Sequence, residues 1–333
     1  MNKERERLLQ IVENFPGKRI AIWGDFILDE YLYGNTRRIS REAPVLILAY
    51  KNKEYFLGGA GNALLNLRAL GACPFPIGII GEDESGEKIL HILKQKKINT
   101  DYLIVEKNYE TPLKTRILAG EETTRKQQIL RIDHESTVPD NKTLKTKLQK
   151  NLENIINQID ALLISDYNYF TVKEDILKNI LPELKKMNIP ITLDSRFRLL
   201  HFKELSAITP NEPEVEHALN IGLNDNIKLL KEAGKLLLNK TKSETILITR
   251  GAKGMILFER GKTPFIIKIH GSSDIVDVTG AGDTVISVFT LSLASGSTFR
   301  EAAKISNYAG SIVVMKKGTS TLTLEELKET IIQ

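Results

Sequence analysis

Short apolar runs alternate with amphipathic helical patterns along most of this chain, and that rhythm restricts the possible folds more than any other feature. The clearest strand-like runs lie at residues 160–165, 190–194, 205–209 and 245–249. Each is followed by a segment with helical spacing of its apolar residues. Because strands joined by helices of this length form right-handed βαβ units, the sequence predicts an α/β fold with a mostly parallel sheet flanked by helices.

Two stretches break this rhythm, at about residues 30–57 and 111–133. Both alternate apolar and polar residues without a helical segment, and residues 120–123 have the composition of a hairpin turn. We expect these stretches to form a small β-sheet inserted into the α/β domain. Such sheets cover active sites or pair between subunits. This one is therefore predicted to be a lid and the interface of a homodimer.

Composition argues against several classes of function. The formal charge of +5 is modest, and no basic patch with interleaved aromatic residues indicates nucleic-acid binding. Cys73 is the lone cysteine, so no intramolecular disulfide can form. The apolar runs are too short to cross a membrane, and glutamates interrupt the N-terminal pattern where a signal peptide would be apolar. We expect a cytoplasmic protein that binds neither nucleic acid nor a membrane.

The strongest motif is the segment 277–284, Asp-Val-Thr-Gly-Ala-Gly-Asp-Thr, which opens an apolar helix. A glycine-rich turn at a helix N-terminus gathers unpaired N–H groups, which stabilise an anion such as a phosphoryl group. Asp283 lies in the first turn, where its carboxylate can take a proton from an attacking hydroxyl. Taken alone, the motif fits a simple helix cap equally well.

Two shorter motifs supply polar groups near strand ends. Residues 58–62, Gly-Gly-Ala-Gly-Asn, open a helical segment, and their glycines let a ligand approach the backbone. Asn62 can both donate to and accept from a sugar hydroxyl. Asp25, with Asp29 beyond it, follows the first strand, and ligands of open α/β sheets collect at the carboxyl ends of strands. The alternative for either motif is a plain capped turn.

Together, the motifs at 58–62 and 277–283 resemble the two signatures of the ribokinase-like (PfkB-type) carbohydrate kinases. The resemblance covers nearly the whole chain. It implies one ribokinase-like domain over residues 1–333, with a doubly wound, mostly parallel sheet and a small β-sheet lid. It also implies a phosphotransferase that uses ATP and Mg²⁺. The residues it assigns are Asp283 as catalytic base, Gly280, Ala281 and Gly282 as the anion hole, and Asp25, Gly59 and Asn62 as sugar ligands.

The same resemblance assigns nucleotide and metal contacts. The segment 211–214 is similar to an Asn-x-x-Glu element that organises Mg²⁺ and phosphate, and 249–254 is similar to a nucleotide loop. The residues concerned are Asn211, Glu212, Pro213, Glu214, Thr249, Gly251 and Gly254, with Asn307 near the adenine. Glu214 is expected to act on Mg²⁺ indirectly, through water. Asp277 and Thr279, with carbonyl groups near residues 316–320, are expected to hold a monovalent cation such as K⁺.

A narrower resemblance, to bacterial heptose 7-phosphate kinases, concerns the substrate. The segments that carry it are 24–34, 38–45, 111–117, 130–133 and 317–321. It implies phosphorylation of the anomeric hydroxyl of D-glycero-β-D-manno-heptose 7-phosphate, on the way to ADP-heptose for the lipopolysaccharide core. A phosphorylated sugar needs cations, and arginine binds phosphate bidentately. The candidate cations, which fall in or beside the two β stretches, are Arg38, Arg41, Lys114, Arg116 and Arg131, although each alone fits a surface ion pair.

Departures from these families leave alternatives open. Asp194, Ser195 and Arg196 stand where many such kinases have an Asp-Pro-Lys-Gly element, which puts Arg196 near the expected phosphate path. The five histidines form no His-x-Gly-His motif of a nucleotidyltransferase domain, so a kinase alone is expected. The alternative substrates are ribose, fructose, a fructose phosphate and 2-keto-3-deoxygluconate. The alternative from another class is a nucleotide- or sugar-binding protein without turnover.

Overall fold

The computed structural model describes residues 3–121, 126–271, 277–316 and 318–333. The strands of these ranges are β1 (Arg19–Gly24), β2 (Phe26–Ile39), β3 (Leu46–Gly59), β4 (Cys73–Gly81), β5 (Leu103–Glu106), β6 (Leu113–Gly120), β7 (Gln127–His134), β8 (Ala161–Asp166), β9 (Ile191–Ser195), β10 (Ala207–Ile208), β11 (Thr245–Thr249), β12 (Met255–Glu259) and β13 (Phe265–Ile267). Within the described ranges, nine of them form the main sheet, in the order β13-β12-β11-β10-β9-β8-β1-β4-β5. Neighbours are parallel except for β12, which runs antiparallel to β11 and β13.

Helices cover both faces of the main sheet. They are α1 (Lys3–Glu13), α2 (Ala60–Ala69), α3 (Glu84–Gln95), α4 (Lys142–Ile156), α5 (Glu174–Lys186), α6 (Glu212–Leu219), α7 (Ile227–Thr241), α8 (Ala281–Ala294), α9 (Phe299–Val313) and α10 (Leu324–Ile332). Side chains of β1 alternate between the two layers. Ala21 and Trp23 share an apolar cluster with α4, α5 and α7, whereas Ile20 and Ile22 share one with α1, α2, α8 and α10. The predicted doubly wound α/β fold is confirmed.

The second sheet is small and has the order β3-β2-β6-β7. Its central pair, β2 and β6, is parallel, and the two outer pairs are antiparallel. The inserted sheet predicted for about 30–57 and 111–133 is thus present. Its first strand, β2, begins earlier than predicted, at Phe26. Of the predicted hairpin turn at 120–123, the last two residues lie outside the described ranges.

The connections between the sheets determine where a ligand can bind. Only Asp25 separates β1 from β2, and β3 runs directly into α2. The second sheet therefore begins and ends at the carboxyl edge of the main sheet, where open α/β folds bind ligands. Helix α2 and the N-terminal half of α8 meet there through buried polar contacts: Ser287 Oγ donates to the carbonyl of Ala63 at 3.0 Å, and Thr284 Oγ1 donates to Asn66 Oδ1 at 3.1 Å.

Among the helices of the described ranges, none combines the length and the apolar character that crossing a bilayer requires.

Candidate active site

Asp283 lies in the first turn of α8, at the carboxyl edge of the sheet, and the turn at Gly280 determines where this helix begins. Gly280, the residue before the helix, has a left-handed conformation with φ of 77°, which favours glycine because a side chain there would be strained. No side chain caps the helix. The Asp283 carboxylate instead accepts hydrogen bonds from Asn62 Nδ2 at 2.8 Å and from the Tyr167 hydroxyl at 3.1 Å. The alternative that Asp283 is a simple helix cap is therefore wrong.

Burial dominates the electrostatics of Asp283, which is 4% exposed. It raises the pKa of this carboxyl to about 6, and the nearby charge of Asp29 acts in the same direction. Hydrogen bonds from Asn62 and Tyr167, together with the charge of Lys114, act to lower the pKa. Such a carboxyl is mostly ionised at neutral pH yet basic enough to accept a proton, as general-base catalysis requires.

Asp283 lines a cavity of about 250 Å³. The cavity wall combines backbone of the two glycine-rich motifs with charged side chains of the second sheet. Its residues are Ile27, Asp29, Gly58, Gly59, Lys114, Arg116, Arg131, Tyr167, Arg196, Thr279, Gly280, Asp283 and Thr319. Six residues that the sequence assigned to sugar binding or catalysis meet here: Gly59, Lys114, Arg116, Arg131, Gly280 and Asp283.

Two of the cations in this cavity are already paired. Arg116 forms an ion pair with Asp29, and its guanidinium lies over the ring of Tyr31. Arg131, which faces Arg116 across the β6–β7 ladder, pairs with Asp133 at 2.8 Å. Each of these arginines is therefore paired with a carboxylate. Asp29 also lines the cavity, where its oxygens can accept hydrogen bonds from a ligand. Arg38 and Arg41 are exposed and do not line the cavity.

Lys114 and Arg196 differ from these two paired arginines, because no carboxylate of the described residues lies within salt-bridge distance of either. Their charged groups lie 5.5 Å and 5.8 Å from the ring of Tyr167. Lys114 is only 6% exposed. Burial lowers the pKa of its ammonium group, and Arg196 acts in the same direction. A buried cation without a counter-ion is costly, so this part of the cavity favours an anionic ligand.

Asp25 lies behind the cavity and not in its wall. It is 1% exposed, and its carboxylate accepts hydrogen bonds from the backbone amides of Tyr167, Tyr169 and Thr171. Because its oxygens already have these partners, the structure does not support the predicted sugar contact of Asp25. Asp29, which the sequence noted only as a neighbour, is the carboxylate of this segment that lines the cavity. Asn62 likewise contacts Asp283 and does not line the cavity.

A second, largely apolar cavity of about 130 Å³ adjoins the same turn. Its lining comprises Thr249, Gly251, Gly254, Met255, Ile269, Val278, Ala281, Gly282, Val285, Asn307, Gly310, Ser311 and Val314. The predicted nucleotide residues Thr249, Gly251, Gly254 and Asn307 are therefore brought together. Thr279, Gly280 and Asp283 line the charged cavity, whereas Val278, Ala281 and Gly282 line this one. One turn thus separates a polar cavity from an apolar one that suits a planar base.

The segment 211–214 forms the first turn of α6 and its cap. Asn211 Oδ1 accepts from the Glu214 amide at 2.9 Å, and Glu214 Oε2 accepts from the Asn211 amide at 2.9 Å. Glu212 pairs with Arg250 at 2.8 Å, and Pro213 is exposed. The reciprocal hydrogen bonds of Asn211 and Glu214 fix the first turn of α6 and hold Glu214 inward. Glu212 and Pro213 line neither cavity.

Glu214 is one of two further acidic groups near Asp283. Burial raises its pKa to about 7, with the charge of Asp283 acting in the same direction. Burial, Glu214 and Asp283 together raise the pKa of Asp194 well above its usual range. A cation would relieve this repulsion, and Mg²⁺ needs only one or two carboxylates. The described residues contain no cluster of three or more His, Cys, Asp or Glu side chains suited to a metal ion, which is compatible with the indirect role predicted for Glu214.

Asp277 links two loops beside the charged cavity. Its carboxylate accepts from the amide of Thr279 at 2.9 Å and from the amide of Gly318 at 3.0 Å. Both hydrogen bonds lower the pKa of Asp277 despite its partial burial. The loop geometry around Asp277 and Thr279 is therefore ordered by this carboxylate. Lys317, within the segment predicted to supply carbonyl groups to a cation, lies outside the described residues.

The family described as "pfkB family carbohydrate kinase" matches residues 18–327. The chain belongs to this family. It is therefore a carbohydrate kinase, a phosphotransferase that acts on a sugar hydroxyl, and the family resemblance of the sequence is confirmed. The enzyme class predicted for the chain is confirmed with it.

Curated relatives of this kinase include "Bifunctional protein HldE" of Desulfatibacillum aliphaticivorans, 36% identical over 95% of this chain and 64% of the relative. The protein of the same name from Helicobacter pylori strain Shi470 is 36% identical over 93% of this chain and 65% of the relative. This chain thus spans slightly less than two thirds of the length of these relatives.

Solved structures show the same fold at low identity. Arabidopsis thaliana ribokinase, complexed with ribose and ATP, superposes with a TM-score of 0.69 and 19% identity, covering 95% of this chain and 99% of that one. Phosphofructokinase-2 of Escherichia coli, in complex with fructose-6-phosphate, gives a TM-score of 0.74 and 17% identity, covering 95% and 98%.

The sequence prediction gave no role to Tyr167 and noted Thr319 only as part of the segments 316–320 and 317–321. Tyr167 follows β8, so its position at the carboxyl end of a parallel strand was a usable signal. Thr319 follows Gly318 and lines the charged cavity, and its buried hydroxyl has no hydrogen-bond partner among the described residues. A buried hydroxyl of this kind favours a ligand that can bond to it.

Proposed function

We propose that this kinase transfers the γ-phosphoryl group of ATP to a sugar that already carries a phosphate. The observation that carries the proposal is the buried Lys114, which lies in the same cavity as Asp283 and has no carboxylate of the described residues within salt-bridge distance. The phosphate of the acceptor would neutralise Lys114 and Arg196. An unphosphorylated sugar would leave both cations without a salt-bridge partner among the described residues, so it should be the poorer acceptor.

Asp283 is proposed to orient the acceptor hydroxyl and to take its proton as the oxygen attacks the γ-phosphorus. The proton moves to the carboxylate, the new O–P bond forms, and the bond between the γ-phosphorus and the bridging oxygen of ATP breaks, leaving ADP. Backbone N–H groups of Gly280, Ala281 and Gly282 stabilise the charge on the moving phosphoryl group. Asp29 and the backbone of Gly59 are proposed to hold the other hydroxyl groups of the sugar.

The apolar cavity is proposed to bind the adenine of ATP, with Thr249, Gly251, Gly254 and Asn307 in its wall. Glu214 and Asn211, at the start of α6, are proposed to position Mg²⁺ through water. When bound, Mg²⁺ offsets the negative charge of the phosphates. Asp277 and Thr279 remain the proposed neighbours of a K⁺ ion, which would support the loop that carries Gly280.

The second sheet is proposed to act as a lid that excludes water from the transfer. It supplies Lys114 and Arg116 from β6 and Arg131 from β7, so binding of the acceptor phosphate would draw the sheet onto the site. Its strands also expose large apolar side chains, at Ile39, Leu46, Tyr50, Leu130 and Ile132. Such side chains favour a homodimer formed through the lid sheets.

As the acceptor we propose the anomeric hydroxyl of D-glycero-β-D-manno-heptose 7-phosphate, with a role in ADP-heptose synthesis. The sequence resemblance to heptose 7-phosphate kinases supports this choice, and so does the similarity to the proteins named HldE. Its phosphate is proposed to meet Lys114 and Arg196 while its anomeric hydroxyl meets Asp283, since all three residues line the same cavity.

The test is a panel of phosphoryl-transfer assays with purified enzyme, ATP and Mg²⁺. Acceptors are heptose 7-phosphate, fructose 6-phosphate, fructose, ribose and 2-keto-3-deoxygluconate, and ³¹P NMR identifies the phosphorylated position. We expect the highest kcat/KM for heptose 7-phosphate, with the new phosphate on the anomeric carbon. A higher value for an unphosphorylated sugar would contradict the phosphate-binding role of Lys114 and Arg196. Absence of sugar-dependent ATP consumption across a broad panel would favour a binding protein without turnover.

A further inference from the structure

The loop of residues 167–171, which follows β8, has an unfavourable backbone. Asn168 and Phe170 both lie in the left-handed region, with φ of 69° and 66°. Asparagine tolerates this region moderately well, whereas a bulky residue such as phenylalanine does so rarely. A conformation of this kind persists only where its surroundings hold it in place, and it is concentrated at functional sites. The loop therefore needs an anchor.

Asp25 is that anchor. Its Oδ2 accepts from the amides of Tyr167 at 2.8 Å and Tyr169 at 3.1 Å, and its Oδ1 accepts from the amide of Thr171 at 3.1 Å. Alternate amides of the loop thus converge on one buried carboxylate that follows β1. Both carboxylate oxygens of Asp25 therefore accept hydrogen bonds from within the protein. Their effect is to fix the position of the first residue of the loop, Tyr167.

Tyr167 connects Asp25 with Asp283 at the start of α8: its amide donates to Asp25 and its hydroxyl to Asp283. Its hydroxyl donates to Asp283 Oδ1 at 3.1 Å, while Asn62 Nδ2 donates to Oδ2 at 2.8 Å. Each oxygen of the Asp283 carboxylate therefore has one side-chain donor, and the plane of the carboxylate is set from two sides. The ring of Tyr167 lies near Lys114 and Arg196 and lines the same cavity.

We infer that Tyr167 is a positioning residue for the Asp283 carboxylate, and that Asp25 acts on catalysis only through the loop that holds Tyr167. The inference rests on the proposed role of Asp283 as base. It assigns to Asp25 a task different from direct binding of the sugar. It also separates Tyr167 from Tyr169 of the same loop, whose hydroxyl donates to Glu135 at 2.7 Å.

The charges around Asp283 decide what the loss of the Tyr167 hydroxyl does. Among the described residues, the charged groups near Asp283 are Asp29 on β2, Lys114 on β6, Asp194 at the end of β9, Arg196 just after β9 and Glu214 on α6. Burial raises the pKa of the Tyr167 hydroxyl well above its usual range, so it remains a donor wherever Asp283 is ionised. A donor to a carboxylate favours the ionised form. Its removal therefore raises the pKa of Asp283.

The decisive experiment is a ¹³C NMR titration of the aspartate carboxyl groups in the ligand-free enzyme, with the Asp283 signal assigned by its loss in Asp283→Asn. In Tyr167→Phe we expect the Asp283 midpoint about half to one pH unit above that of the wild type, the equivalent of one ordinary hydrogen bond. The matched control is Tyr169→Phe, which removes a hydroxyl from the same loop and should leave the midpoint unchanged. Equal midpoints in Tyr167→Phe and the wild type, or equal shifts in both variants, would overturn the inference.

Kinetics provide a second readout. We expect Tyr167→Phe to lower kcat roughly 10-fold, within the usual contribution of one oriented catalytic group, with KM for ATP unchanged. Asp25→Asn should lower kcat in the same way, and the double variant should be no worse than the poorer single variant, because both act on one element. Multiplicative losses would overturn the role assigned to Asp25, and where Asp25→Asn fails to fold the Tyr167→Phe titration still decides the inference.

The titration needs neither sugar nor ATP, so it stands apart from the proposed function. Full turnover in Asp283→Asn would remove Asp283 as the base while the midpoint shift in Tyr167→Phe persisted. An unshifted midpoint together with an inactive Asp283→Asn would instead keep the base and remove Tyr167. The two failures are therefore distinguishable.

Discussion

Asn62 Nδ2 lies 2.8 Å from Asp283 Oδ2, and this hydrogen bond joins two glycine-rich motifs separated by 221 residues. Asn62 is in turn oriented by Asn66, whose Nδ2 donates to Asn62 Oδ1 at 3.4 Å and to the backbone carbonyl of Asn62 at 3.0 Å. Neither residue is more than 1% exposed. The orientation of the Asp283 carboxylate therefore depends on the contact between α2 and α8, and not only on the turn that carries it.

Gly280→Ala tests this contact. A Cβ at position 280 would collide with Asn62 Nδ2, so the substitution pushes Asn62 away from Asp283. We expect kcat to fall at least 10-fold, because small displacements of an oriented catalytic group are costly. We also expect the free energy of unfolding to fall by about 1–2 kcal/mol, since alanine is strained at φ of 77°. Steady-state kinetics and urea unfolding measure the two effects.

Gly296→Ala is the matched control for the backbone strain. Gly296 has φ of 82°, and nothing lies within 4 Å of a Cβ built there. It follows the C-terminus of α8, the same helix that Gly280 precedes. Its alanine variant should lose a similar free energy of unfolding but keep wild-type kcat. If both variants lost turnover equally, strain in the helix and not displacement of Asn62 would explain the loss.

Asp283→Asn tests the base itself. The substitution keeps the shape of the side chain but removes its ability to take a proton at neutral pH. We expect kcat to fall by a factor of about 10² or more, the usual contribution of a general base. The Kd for ATP, measured by calorimetry without sugar, should stay close to that of the wild type because the apolar cavity is unaltered. Turnover equal to the wild type would remove Asp283 from the mechanism.

Much of the architecture could be predicted because it depends on local pattern. The strands expected at 160–165 and 245–249 are β8, Ala161–Asp166, and β11, Thr245–Thr249. The strand expected at 205–209 shrank to Ala207–Ile208, since boundaries depend on pairing that the sequence does not specify. The glycine-rich motifs were predictable for the same reason: glycine is needed where the backbone is left-handed, and Gly280 has φ of 77°.

The choice between Asp25 and Asp29 could not be made from the sequence. Asp25 is the junction of β1 and β2 and Asp29 lies near the start of β2, and an aspartate at either position can bind sugar hydroxyls. What separates them is the loop after β8, whose amides use both oxygens of Asp25. That loop owes its shape to left-handed Asn168 and Phe170, and no glycine signals such a conformation. The role of Tyr167 was hidden for the same reason.

The buried carboxyls predict how stability depends on pH. Burial raises the pKa of Asp25 and of Asp283 from 3.8 to about 6, and that of Glu214 from 4.5 to about 7. A raised pKa means that the folded state favours the protonated form. The resulting stabilisation is fully present below the ordinary pKa and is lost as the pH rises through 6 to 7. For these groups, unfolding should therefore become easier between pH 5 and pH 8.

Asp283→Asn isolates one contribution. Its free energy of unfolding should fall less than that of the wild type between pH 5 and pH 8, by on the order of 2 kcal/mol. Urea unfolding of the ligand-free proteins at both pH values measures the difference. Asp140→Asn, at an exposed aspartate, should follow the wild type. Identical losses in Asp283→Asn and the wild type would mean that Asp283 is not the destabilising carboxyl.

Lys114→Met tests the anion site and has opposite effects on binding and stability. The variant loses a cation that should meet the acceptor phosphate, so we expect KM for a phosphorylated sugar to rise roughly 10- to 100-fold. In the ligand-free enzyme the same change removes a buried charge that has no salt-bridge partner among the described residues, so the free energy of unfolding should rise by about 1 kcal/mol. KM for ATP should not change, because Lys114 lies outside the apolar cavity.

Lys126→Met is the control within the same sheet. Lys126 precedes β7, and its ammonium donates to Asn35 Oδ1 and to the carbonyls of Gly120 and Glu121. Because this lysine has partners and does not line the cavity, its loss should lower stability and leave KM for the sugar phosphate unchanged. A stabilised Lys114→Met with a higher KM, beside a destabilised Lys126→Met with normal KM, is the expected pattern. If KM for the sugar phosphate stayed normal in both, the acceptor would not bind through Lys114.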